Sequence, residues 1–268
     1  MMRPRALRTF RPLQLLWFFP ALLLLAAMGP VEARVPVVAA AADLQFALPE
    51  VAAAFERTTG EGVRLAFGSS GNFARQIEQG APFELFLSAD ETLVQRLAQA
   101  GLTVDDGQIY AHGRLALFVA ANSTVAADAE LTGLVAALKA GALRRFALPN
   151  PVHAPYGQRA ETLLRKKGLW EALLPHLVLG ENAAQAAQFA LSGSVDAGIS
   201  AWSLSRAPGL DTNARVVLLP AADHAPLIQR MVLLKTAGRT ARRFHAYLLG
   251  PEAQAVLRRH GFELPAPP

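Results

Sequence analysis

The sequence contains no cysteine, which removes disulfides, thiolate metal sites, cysteine nucleophiles and an acylated cysteine anchor together. Aromatic residues are sparse at 7%, too few to interleave with basic residues as a nucleic-acid surface requires. No Walker A or G-x-G-x-x-G run occurs, and the six histidines stand apart without H-E-x-x-H spacing. The chain therefore encodes neither a nucleotide-phosphate loop nor a zinc-hydrolase helix. Basic residues come as short pairs such as Arg144-Arg145 and Lys166-Lys167. These read as solvated helix surface and argue against a nucleic-acid partner.

What remains is 268 residues, 52% of them hydrophobic, enough for two lobes of ordinary size with real cores. Arg3, Arg5, Arg8 and Arg11 precede an apolar run from Leu13 to Ala27, and Val31-Glu32-Ala33 follows. That order predicts a secretory signal over 1–33, with the mature protein starting near Arg34. The apolar run is shorter than the ~20 residues a spanning helix needs. Taking four arginines and one glutamate from 26 basic and 21 acidic residues leaves 22 against 20, so the expected exported form is nearly neutral.

Short β-branched or apolar runs then alternate with runs of helical period, which is the pattern of an α/β protein. Strands are predicted at Val35–Ala40, Val63–Phe67 and Glu84–Ser88, each followed by a helix, at Leu48–Arg57, Asn72–Gln79 and Glu91–Ala100. Three such steps imply a parallel sheet. A second series starts at Leu115–Ala120 and runs through helices at Gly157–Lys167 and Ala183–Leu191 to a strand at Arg215–Leu219. No Ser/Gly-rich linker divides the two series. The expectation is therefore two α/β lobes joined by crossing strands.

Four of the strand-to-helix turns are rich in small or hydroxylated residues: Ala41-Ala42-Asp43, Gly68-Ser69-Ser70-Gly71, Pro155-Tyr156-Gly157 and Glu181-Asn182-Ala183-Ala184. A helix N-terminus presents unpaired N–H groups and a partial positive charge, so it holds an anion without a cation. Lys and Arg are absent from Val35–Glu56, Leu65–Ala74, Phe146–Gln158 and Gly168–Ser205, so every one of these turns lacks a local positive side chain. The bland alternative is that small residues merely make tight turns. Ser69 and Ser70 also suggest a nucleophile, but Asn72 stands where a G-x-S-x-G elbow needs its last glycine.

Several pieces in order carry a more specific signal: Ala40-Ala41-Ala42-Asp43-Leu44, Phe67-Gly68-Ser69-Ser70-Gly71, Leu85-Phe86-Leu87-Ser88-Ala89-Asp90, His153-Ala154-Pro155-Tyr156-Gly157, Gly180-Glu181-Asn182 and Gly250-Pro251-Glu252-Ala253. Through them the chain resembles the molybdate-binding periplasmic proteins, the receptors of molybdate ABC importers. The resemblance implies a type II periplasmic binding fold with a discontinuous first lobe, over 34–113 completed by 227–268, a second lobe over 114–226, and a periplasmic, monomeric, non-enzymatic receptor. Its ligand would be molybdate or tungstate, its partner a membrane permease, with no cofactor.

Position by position, the resemblance implies contacts from the Ser70 hydroxyl and amide with Ser69 beside it, from the first-turn amides of Ala42 and Asp43, from the Tyr156 hydroxyl or amide, and from the Ala183 amide. Ala201 stands where some relatives place a tyrosine. Ser70, Tyr156 and Ala183 would hold the anion by its oxygens, with no direct bond to the metal. Like charges 4 Å apart at an effective dielectric near 20 cost roughly 4 kcal/mol, so Asp43 is expected to turn its carboxylate away and offer its amide. The alternatives are a receptor for another oxyanion such as sulfate or phosphate, and a secreted serine hydrolase using Ser69 or Ser70. An anion-sensing regulator of the same fold would need a DNA-binding segment, and no such extension is read in the sequence.

Overall fold

The computed structural model describes residues 35–207 and 213–265; the predicted signal over 1–33 and the residues 266–268 lie outside it. Strands β1 (Val37–Ala41), β2 (Arg64–Gly68), β3 (Leu85–Ser88), β4 (Gln108–Gly113) and β10 (Leu227–Leu233) form one sheet in the order β2-β1-β3-β10-β4. Strands β5 (Leu115–Ala120), β6 (Phe146–Pro149), β7 (Leu177–Gly180), β8 (Ala197–Ala201) and β9 (Ala214–Leu218) form a second in the order β7-β6-β8-β5-β9. The first three βα steps do make parallel pairs, β2 with β1 and β1 with β3. The sheet as a whole is mixed, because β10 returns antiparallel to both β3 and β4.

Alternation along the strands explains how the first sheet is covered on both faces. Val38 and Ala40 of β1 and Leu85 and Leu87 of β3 point to one side, while Ala39 and Phe86 point to the other, as the period of two requires. On the first side lie α1 (Ala47–Thr59), α8 (Arg239–Leu248) and α9 (Pro251–Arg259), contributing Leu48, Phe55, Phe244 and Leu257. On the second lie α2 (Ser70–Glu78) and α3 (Glu91–Gln99), contributing Phe73, Ile77, Val94 and Leu97. Because neither face meets water, β1 and β3 read as unbroken apolar runs.

The second sheet is sandwiched in the same way by α4 (Thr132–Lys139), α5 (Pro155–Lys166), the single turn α6 (Trp170–Leu173) and α7 (Ala183–Leu191). Phe118, Phe146, Leu148 and Ile199 meet Leu163, Leu164 and Ala187 there. The chain passes between the sheets twice. Only Arg114 separates β4 from β5, and residues 219–226 return the chain from β9 to β10. The strand β4 has no counterpart in the sequence reading, because Gln108, His112 and Gly113 interrupt its apolar pattern.

Candidate functional site

Helix α2 starts at Ser70, two residues before the predicted start, with Ser69 as the extended residue ahead of it (φ −73°, ψ 132°). Helix α5 starts at Pro155 rather than Gly157; proline has no N–H to leave unpaired at that position. Helix α7 starts at Ala183, capped by the Asn182 side chain, which accepts the Gln185 N–H at 3.1 Å. A short 3-10 turn, Ala42–Leu44, follows β1. These starts put Ser70, Tyr156 and Ala183 in first helical turns, where N–H groups have no intrahelical acceptor. Among the described residues their amides donate to no protein acceptor.

All four turns open onto one cavity between the lobes, lined by Ala42, Asp43, Ser69 and Ser70 on one side and by Tyr156, Asn182 and Ala183 on the other. Its volume is ≈ 10 Å³, about that of one water-sized sphere and far below that of a sugar or nucleotide. No lysine or arginine lines it. The Ser70 oxygen accepts the Ala89 N–H at 3.0 Å, which leaves its proton free for a group in the cavity. Ser69 is engaged differently: it donates to the His153 carbonyl at 2.5 Å, with the His153 Nδ1 3.0 Å away.

That arrangement bears on the nucleophile alternative. Ser69, His153 and Glu181 do come together, with His153 Nε2 3.6 Å from Glu181 Oε2. The Ser69 hydroxyl lies between the His153 carbonyl, at 2.5 Å, and Nδ1, at 3.0 Å, and the shorter contact takes its proton. The group instead ties the lobes to each other. Gly71 N–H donates to the same carbonyl at 3.0 Å, and a Cβ on Gly71 would lie 2.5 Å from that oxygen. Ser203 donates to the Asp43 carbonyl at 2.8 Å, and Arg159 lies 3.7 Å from Asp90.

The Asp43 carboxylate, expected to turn away from the ligand, is buried among polar groups where the lobes meet. Its Oδ2 accepts the Tyr156 hydroxyl at 2.8 Å and the Gln229 amide at 2.5 Å, while Oδ1 is buried with no hydrogen-bond partner. Burial pushes its pKa up to about 6, although the bonds from Gln229 and Tyr156 pull the other way. The Tyr156 phenol is raised well above its usual range, first by burial and then by the Asp43 charge. With the hydroxyl given to Asp43, the Tyr156 group left for a ligand is its amide. Ala201 ends β8 opposite Leu115, outside the cavity lining.

The sequence reading missed the residues that organise this corner. Gln229 is fully buried in β10, and its Oε1 accepts the Tyr110 hydroxyl at 2.6 Å. A glutamine inside the apolar run 227–233 was the available signal, since a buried amide must find partners. Gly113, at the crossing between sheets, gives the cluster room: a Cβ there would lie 2.2 Å from the Tyr156 hydroxyl.

Residues 36–263 match the family model described as bacterial extracellular solute-binding protein. The molybdate-binding protein ModA of Azotobacter vinelandii is 36% identical over 85% of this chain and 89% of its own length. That of Rhodobacter capsulatus is 35% identical over 87% and 90%. Among solved structures, the Azotobacter vinelandii periplasmic molybdate-binding protein superposes with a TM-score of 0.78 at 28% identity, covering 86% of this chain and all of that one. The sulfate-binding protein SubI of Mycobacterium tuberculosis, at 18% identity and a TM-score of 0.70, shares the fold. The two α/β lobes with crossing strands are therefore those of a periplasmic binding protein, and the chain belongs to the bacterial extracellular solute-binding protein family.

Proposed function

We propose that this protein is the periplasmic receptor of an ABC importer and binds molybdate, and also tungstate, between its lobes. One observation carries the reading: a cation-free cavity into which helix N-termini of both lobes bring unspent donors, the amides of Ser70, Tyr156 and Ala183 and the hydroxyl of Ser70. The molybdate-binding relatives agree with it. Ala42 and Asp43 contribute first-turn backbone to the same cavity, and Ser69 steadies it from behind through His153.

The mechanism follows from dividing the donors between lobes. An anion in the cavity is surrounded only when the lobes are together, so it stabilises the closed state and not the open one. Residues 34–113 with 227–268 act as one body and 114–226 as the other, moving about the crossings at Arg114 and 219–226. Neutral donors fixed on helix ends select by size: a smaller dianion such as sulfate is left with stretched bonds it cannot shorten. Release to the permease requires only that the lobes part, since the anion itself is held by no lysine or arginine.

The signal-like segment 1–33 supports export to the periplasm, and we assign the mature protein as a monomer without catalytic activity. Isothermal titration with molybdate, tungstate, sulfate and phosphate tests the reading. Tight binding of the first two alone is expected, and a stronger response to sulfate or phosphate would reassign the ligand. Turnover of a generic ester, lost on Ser69→Ala or Ser70→Ala, would make the chain a hydrolase instead.

A further inference from the structure

Gln229 fixes which oxygen of Asp43 can carry a proton. Its Oε1 accepts from Tyr110 at 2.6 Å, so its amide nitrogen is the atom turned to Asp43 and Tyr156, donating to Asp43 Oδ2 at 2.5 Å and to the Tyr156 oxygen at 3.1 Å. The Tyr156 oxygen, having accepted from Gln229, spends its own proton on the same Oδ2 at 2.8 Å. Two neutral donors therefore saturate Oδ2 as an acceptor. Oδ1 is left buried and without a partner, on a residue 2% exposed that lines the cavity with Ser70 and Ala183.

We propose that Asp43 serves the bound anion as a neutral carboxylic acid, its proton on Oδ1 donating to an anion oxygen, so that capture of each dianion takes up one proton from solvent. The inference rests on the oxyanion reading above. Its chemistry is a simple balance: ionised Asp43, one solvent proton and the dianion give the protonated acid hydrogen-bonded to the anion. An ionised Asp43 would oppose a dianion, and an aspartate with no proton would leave Oδ1 facing an oxygen with no hydrogen between them. Protonation turns that repulsive contact into a donor.

Among the described residues no lysine or arginine lines the cavity, and His153 stands behind Ser69, its Nδ1 3.0 Å from that hydroxyl. The titratable groups facing Asp43 are the phenols of Tyr156 and Tyr110, both held protonated by burial. Helix α7, packed against the 3-10 turn that carries Asp43, has no charged residue. The segment Trp202–Arg206 offers Arg206, which lies over the Trp202 ring, and β2 offers only Arg64, at the strand end away from Gly68. Burial raises the Asp43 pKa to about 6 against the lowering effect of Gln229, Tyr156 and the backbone N–H groups of Asp43 and Leu44, and a neighbouring dianion raises it further.

The test is calorimetric titration of the mature protein with sodium molybdate at about pH 7.5 in two buffers of different ionisation heat. About one proton taken up per anion is expected, with affinity falling roughly tenfold per pH unit toward pH 9. Asp43→Asn, which keeps the acceptor oxygen and replaces the acid by an amide donor, should bind with no proton uptake and no such pH slope. The proton count on the unaltered protein needs no variant. Molybdate binding with no buffer-dependent heat would overturn the proposal and leave the receptor reading intact. No binding of molybdate or tungstate at any pH from about 6 to 9 would overturn both.

Discussion

Tyr156 of the second lobe donates its hydroxyl to Oδ2 of Asp43 in the first lobe at 2.8 Å. This bond spends the cavity's phenol on closing the molecule, and it leaves the Tyr156 amide as that residue's contribution to a ligand. The two residues are 113 positions apart in sequence, and Gly113 at the strand crossing gives them room to meet.

Tyr156→Phe therefore removes a donor from a buried carboxylate while keeping the amide. Folding stability should fall by ~1–3 kcal/mol at pH 8, the cost of leaving such an acceptor short of a partner, and by less at pH 5, where Asp43 is largely protonated. Urea unfolding at the two pH values checks this. A loss of molybdate affinity larger than that of Ser70→Ala would show instead that the hydroxyl binds ligand.

Asp43→Asn should stabilise the ligand-free protein at neutral pH. The folded-state pKa, about 6, lies above the ordinary 3.8, so the native state binds more protons than the unfolded chain between those values. Stability from this group is thus fully present below about pH 4, declines as pH rises to about 6, and is flat beyond. The total is up to ~3 kcal/mol. The asparagine variant should lack that decline, and denaturant unfolding from pH 4 to 8 reads the difference.

How much of this was visible in the sequence differs between the frame and the site. The βα order was legible because strands buried on both faces, such as Leu85–Ser88, and amphipathic helices, such as Glu91–Gln99, differ in period, with Asp90 capping the change between them. Strand β4 was not, because its polar residues are satisfied only by partners distant in sequence: His112 pairs through its backbone with Glu263. At the site, Ser70 and Ala183 could be picked out by their position in turns without cations. The pairing of Asp43 with Tyr156 and Gln229 could not, since it depends on three elements from two lobes meeting at one point. Like-charge avoidance implied only that the carboxylate turns from the ligand, and could not name Tyr156 and Gln229 as the neutral donors that hold it.

Gly71→Ala should separate folding from closure. A Cβ at Gly71 would sit 2.5 Å from the His153 carbonyl oxygen of the opposite lobe, so the methyl wedges the lobes apart without entering either core. Molybdate affinity should fall at least tenfold, about 1.4 kcal/mol, with the melting temperature of the ligand-free protein little changed. Calorimetry beside thermal unfolding checks the pair, and equal affinity in the variant would remove this contact from the closed, ligand-bound form.

Ser70→Ala removes a hydroxyl whose oxygen is already held by Ala89 N–H at 3.0 Å and whose proton is free. Binding should weaken by about 1.5–3 kcal/mol, the range for a hydrogen bond to a charged group. The Ala89 amide also loses its acceptor, so a modest drop in stability is expected beside it. Unchanged affinity would take Ser70 out of the site.

The most direct test of the account is a fluorescence competition between molybdate and sulfate. Trp202 lies against Gly261 of the other lobe, where an added Cβ would be 2.6 Å from its ring, so its emission reports the lobes' approach. Molybdate at micromolar concentration should shift that emission, and a hundredfold excess of sulfate should neither reproduce nor reverse the change. A response to sulfate equal to or stronger than that to molybdate would contradict the account.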